Sequence, residues 1–296
     1  LKLQQGLGVS RLIAPSVLLS SFRDPWSQIA LSLAEQSIEA ASALTDAPPL
    51  YISLVMDENA LLAPDAVDEF LDIITAWDDV AGFYVIMRPN DGGFPTVIQE
   101  GTIAGLVYMT HVLGTVNDYE VVAGYSDLVG TLLHAAGATH TASGWFNSLR
   151  QFSLARFQPA GGGRQPRPRY TSGPLMTPIL VIPELETIQR VNRVKAMLSG
   201  TAYDRAFATT PAGTAAWAKP APQLHHWAVL RQLAEHVRAP RTSRARLAAA
   251  EQLVAQAGVI FEDLRNHGVG FEPATGGRHL ESWLRGLQAV RPLLGV

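Results

Sequence analysis

The sequence predicts an α/β protein: a parallel-sheet, (β/α) barrel-like domain followed by an α-helical C-terminal region. Three observations carry this reading. Apolar, strand-like runs begin near Arg11, Leu50, Val80 and Tyr119, 30 to 39 residues apart. Each gap holds one helical segment, which is the spacing of βαβ units. The runs are nearly continuous in apolar residues, as expected where helices cover both faces of a parallel sheet.

Taken in order, RLIAPSVLL from Arg11 to Leu19 reads as a buried strand interrupted by Pro15. Asp24-Pro25 supplies an N-cap and a first-turn proline for a helix reaching about Leu44, and Trp26, Ile29, Leu33 and Ile38 recur at roughly helical spacing. Leu50 to Met56 is the second strand. A helix opens at Pro64 with Val67, Phe70, Leu71 and Ile74 on one face. Val80 to Met87 is a strand, and Thr96 to Leu113 a helix. Tyr119 to Tyr125 is a strand, the helix after Ser126 carries Leu128, Leu132 and Leu133, and Ala138 to Ser143 is a short fifth strand. Gln158 to Arg169 is mostly Gly, Pro and Arg and reads as a loop. Ile179 to Ile182 is one more strand-like run. Helices follow over Leu224 to Val237, Ser243 to about Asn266, where Gly268 caps the end, and His279 to about Val290.

The domains read as 1–183, barrel-like, and 184–296, helical. A closed barrel takes about 250 residues, and only five or six units are countable before Arg190. The chain begins with Leu1 rather than Met, which fits an incomplete TIM barrel. An open doubly wound sheet fits the same alternation.

Charge is distributed unevenly. From Asp57 to Asp127 there are 13 acids and one base, Arg88, whereas Leu128 to Pro183 holds no acid and five arginines. The net charge of −3 averages these two segments. The absence of Cys excludes disulfides, thiolate zinc and a Cys nucleophile, and fits a reducing, cytoplasmic location. No run of about 18 apolar residues predicts a membrane helix.

Ligand sites in both architectures lie beyond the carboxyl ends of the strands. Those positions hold Ser16, Asp57 and Glu58, then Arg88, Asn90 and Asp91, then Tyr125, Ser126 and Asp127, and finally Ser143, Gly144 and Trp145. Asp57 and Asp127 are the candidate catalytic carboxylates. Asp127 also sits where a helix dipole stabilises a carboxylate. Arg88 is a candidate clamp for a phosphate or carboxylate, with a structural ion pair to Asp57 or Asp91 as the competing role. Ser126, Trp145 and Arg150 are candidate ligand contacts, with Trp145 in the core as the alternative. Arg164, Arg167, Arg169 and Tyr170 form a candidate polyanion surface, or else a solvated loop. His225 and His226 diverge by about 100° on a helix and do not share a metal. No metal site, P-loop, HExxH, GxGxxG or GxSxG is present, and no cofactor is assigned.

One resemblance adds to this. Gly124-Tyr125-Ser126, a short helix ending in Ala135-Ala136-Gly137-Ala138, a strand leading to Arg150, and LHHWAVLRQLAEHV from Leu224 together resemble the last barrel units and helical tail of tRNA-guanine transglycosylases. The likeness spans roughly half of the chain. The zinc-binding cysteines of that family are missing, as is its nucleophilic aspartate in a Phe-Asp context, so no site residue is transferred. The expected function is binding, or acting on, an anionic small molecule or nucleotide at the strand rim. A nucleic-acid-associated module and a non-catalytic structural fragment are the alternatives.

Overall fold

Proline has no N–H to give to a strand ladder, and Pro15 accordingly divides the first apolar run into β1 (Leu12–Ile13) and β2 (Leu18–Leu19). Both lie parallel to β3 (Leu50–Asp57). Leu12 pairs with Leu50 and Leu18 with Val55, so the register slips by one residue across the proline. β4 (Gly82–Arg88), β5 (Glu120–Gly124) and β6 (His140–Thr141) then add in sequence order, every pair parallel. The sheet grows in one direction, without the reversal of strand order that defines a doubly wound sheet. β7 (Arg169–Ser172) and β8 (Thr177–Leu180) form a separate antiparallel hairpin. The run near Ile179 is β8. Its partner comes from RYTS, which the sequence assigns partly to the Arg-rich loop.

The computed structural model describes residues 1–90, 97–158, 167–208 and 217–295. Within these the helices are α1 (Lys2–Gly6), α2 (Pro25–Ser42), α3 (Pro64–Ile74), α4 (Glu100–His111), α5 (Gly130–Ala136), α6 (Glu186–Arg190), α7 (Val194–Met197), α8 (Arg205–Ala208), α9 (Ala221–Arg238), α10 (Ser243–Asn266) and α11 (Arg278–Leu294). None is long and apolar enough to cross a membrane. α2 starts as expected, with the Asp24 carboxylate accepting from the Ser27 N–H at 3.0 Å. Its buried face differs from the expected one. Ser27, Ala30, Leu31, Ala34, Ser37 and Ala41 pack inward, while Trp26 and Ile29 are exposed. Small side chains let this helix lie close to the sheet, so its bulkiest residues do not mark the buried stripe. α3 buries the expected Val67, Phe70, Leu71 and Ile74.

The C-terminal helices lie on the parallel-sheet region through a continuous core. α11 packs along α4, and α9 and α10 pack on α5. The α4–α11 contact is close because Gly286 has no side chain: a Cβ there would come within 2.6 Å of Ile103. That packing brings α11 over the carboxyl ends of β4 and β5.

Candidate functional site

β5 stops at Gly124, and the chain turns sharply into the helix that follows. Tyr125 and Asp127 both take positive φ, +55° and +44°, a region that costs non-glycine residues energy. Between them the Ser126 N–H donates to the Ala142 carbonyl at 3.2 Å, and the Ser126 hydroxyl returns to the Ala123 carbonyl at 3.0 Å. The turn places Ser126 and Asp127 on the wall of a cavity at the strand ends. Its volume is about 60 Å³, and a water occupies roughly 10–15 Å³ by this measure. It therefore admits a few waters or one small organic group. Val85, Met87, Leu106 and Met176 make it largely apolar; its polar lining includes Asp127, Arg150, His279 and Trp283.

Asp127 does not cap its helix. Its carboxylate accepts from His226 Nε2 at 2.9 Å and from the Ser143 hydroxyl at 3.4 Å. Ser143 Oγ also lies 3.2 Å from the same His226 nitrogen. A Ser–His–Asp relay needs serine and aspartate on opposite ring nitrogens, so these three residues are not a nucleophilic triad. The other nitrogen, Nδ1, meets the Thr171 hydroxyl at 3.0 Å. Burial, with the nearby Arg150, lowers the proton affinity of His226 more than Asp127 raises it. Burial also pushes the Asp127 carboxyl up, but His226, Arg150 and Ser143 together hold it below the usual carboxylate range. The consistent state is a carboxylate beside a neutral imidazole: Nε2–H donates to Asp127, and the Thr171 hydroxyl donates to Nδ1.

Arg150 is the cation of the site. It is 4% exposed, and burial lowers its affinity for its proton. Asp127 attracts it through space. Its Nε–H has no acceptor among the described residues. A second buried donor on the same cavity, the Trp283 indole N–H, is also unpartnered among them. His279, one helical turn before Trp283, contacts the Met176 carbonyl through Nε2 at 3.0 Å. A carbonyl only accepts, so Nε2 carries the hydrogen and Nδ1 keeps a lone pair. Burial takes the His279 pKa down to about 4.

The other residues singled out in the sequence fall elsewhere. Asp57 and Arg88 are register partners on β3 and β4 and form an ion pair with each other; the Ser20 hydroxyl adds a bond to Asp57 at 3.2 Å. Neither lines the cavity, so the two expected carboxylates do not form one site. Asn90 donates its N–H to Glu58 at 2.8 Å. Trp145 packs edge-to-face on Trp227 with centroids 5.1 Å apart. Arg167 is held by Glu272 through two bonds of 2.6 Å, and Arg169 donates to the Pro178 carbonyl at 3.0 Å. The Tyr170 ring is fully buried, with its hydroxyl on Asp204 at 2.8 Å, leaving no face for a base to stack on. Asp91 and Arg164 lie outside the described residues. Among the described residues no group of three His, Cys, Asp or Glu could hold a metal ion.

Sequence reasoning missed His226, Thr171, His279 and Trp283. The one available signal was that His279 and Trp283, four residues apart, share a helix face. No protein-family model, no curated protein and no solved structure matches the chain. The reading of the site rests on its geometry.

Proposed function

We propose that the protein binds a small organic anion in the cavity beyond β4 and β5, with Arg150 as its anchor. One observation carries this: a buried guanidinium lines the cavity with its Nε–H unpartnered among the described residues. A buried donor without an acceptor costs about 1–3 kcal/mol, and more when charged. An anion supplies both the acceptor and the compensating charge. The Trp283 N–H is a second donor on the cavity wall without a partner among the described residues, and the apolar wall suits a short hydrocarbon part. The Asp127 carboxylate opposes further negative charge at depth, so the buried part of the ligand carries a single charge at most. The progressive, parallel order of β1 to β6 supports a barrel-like reading of the sheet, with the antiparallel β7–β8 hairpin outside it; in such a fold this rim is the usual place for a ligand.

The test is calorimetry and thermal-shift titration with short carboxylates such as butyrate, with butylammonium as control, on the wild type and Arg150→Met. The expected result is saturable binding of butyrate, weakened roughly 10- to 100-fold in the variant, which is the worth of a charge-assisted bond. Equal binding by both proteins, or none in the millimolar range, overturns the proposal.

A further inference from the structure

Arg150 belongs to two spaces at once. Behind it lies the apolar cavity; in front lies a more open cleft of about 540 Å³, walled by Trp145, Phe146, Arg169, Lys219 and Gln223. Four cations line this cleft, Arg150, Arg167, Arg169 and Lys219, and none of its described lining residues is Asp or Glu. Glu272 engages Arg167 from outside the lining. Arg169 spends one N–H on a carbonyl and feels Glu184 only through space. The Lys219 ammonium sits over the Phe146 ring, 4.9 Å from its centroid, and forms no ion pair among the described residues. Gln223 is 7% exposed, and its Oε1 has no hydrogen-bond partner among the described residues. The cleft thus offers two cations without an ion pair among the described residues, Arg169 and Lys219, beside the ion-paired Arg167 and a buried Gln223 acceptor, and it shares Arg150 with the cavity.

We infer that this cleft is a phosphate subsite, and that the ligand is a small phosphate monoester whose short apolar group enters the cavity. The inference rests on the reading of Arg150 as an anion anchor and adds a substrate class to it. A phosphate dianion presents three oxygens to several cations at once, and guanidinium forks match that geometry. The carboxylate of Asp127 keeps the dianion out of the cavity and in the cleft. Gln223 Oε1 accepts from a hydroxyl carried by the ligand's organic part or from the one remaining proton of a monoanionic phosphate, since the dianion has no hydrogen to donate. The small cavity favours a monoester of a compact molecule over a nucleic-acid strand.

Calorimetry with butyl phosphate and butyrate, whose hydrocarbon chains differ by a single methylene, tests this on the wild type, Lys219→Gln and Arg169→Lys. The wild type is expected to bind butyl phosphate at least about tenfold more tightly than butyrate. Each variant is expected to weaken butyl phosphate about three- to tenfold and to leave butyrate unchanged. If butyrate binds but butyl phosphate binds no better, or both variants keep the wild-type preference, the subsite is wrong while the Arg150 anchor stands. If neither ligand binds, the anchor itself fails. Displacement of butyl phosphate by a single-stranded oligonucleotide without a terminal phosphate, as effective as by inorganic phosphate, would also overturn the monoester claim.

Discussion

His225 and His279 are both buried and both have pKa values near 4. In the unfolded chain an imidazole takes its proton near pH 6.5. Between these values the unfolded state binds more protons, so stability rises with pH there and falls as the solution is acidified. The slope is about 1.4 kcal/mol per pH unit for each histidine. Asp127 acts at lower pH: its depressed value contributes stability above the usual carboxyl range and loses it as pH falls through the folded value. Urea unfolding at pH 7 and pH 5 is expected to show the loss, and His279→Gln, which keeps a donor for Met176, is expected to flatten the dependence. An unchanged slope in that variant would contradict the neutral, buried state of His279. At this scale the sequence showed only part of the site. Asp127 and Ser126 were legible because they follow a strand end, and Arg150 because it follows Ser143-Gly144-Trp145. His226 was not, because its partner lies far along the chain and is reached only through the packing of α9 on α5.

α11 carries His279 and Trp283 into the cavity, and its position depends on the missing side chain of Gly286. Gly286→Ala is expected to force α11 away from Ile103 and to destabilise the protein by about 1–3 kcal/mol, the usual cost of overpacking. Anion binding should weaken with it, because both α11 groups leave the cavity. A melting temperature and butyrate affinity equal to the wild type's would show that the close crossing does not position the site. Most elements were legible because period and punctuation agree, as at Asp24-Pro25 and along Val67, Phe70, Leu71 and Ile74. The phase of α2 was not, since its buried stripe is built of Ala and Ser. The β7 strand was hidden because RYTS has one large apolar residue and follows a Gly- and Pro-rich stretch.

Across the whole molecule, the uneven charge of the sequence resolves into local pairings. Arg88, alone among acids, is taken by Asp57; Arg167 is taken by Glu272 from the C-terminal region; Arg150, in the acid-free segment, keeps an Nε–H without a partner among the described residues. Strand alternation predicted a parallel sheet, and the strand order agrees with that. Among the described residues the Nε–H groups of Arg150, Arg193 and Arg246 lack a hydrogen-bond acceptor, and only that of Arg150 lines the cavity, a juxtaposition with Trp283 more than a hundred positions away that no local pattern encodes. The Nε–H of Arg150 is therefore the most direct point of attack. Its ¹⁵N–¹H resonance, assigned by its absence in Arg150→Lys, should be followed while butyl phosphate is added. A saturable shift of that resonance, with the Trp283 indole signal moving in step, is the predicted result. A resonance that stays in place up to millimolar ligand, or one that moves only with signals remote from the cavity, would contradict the assignment of Arg150 as the anion anchor.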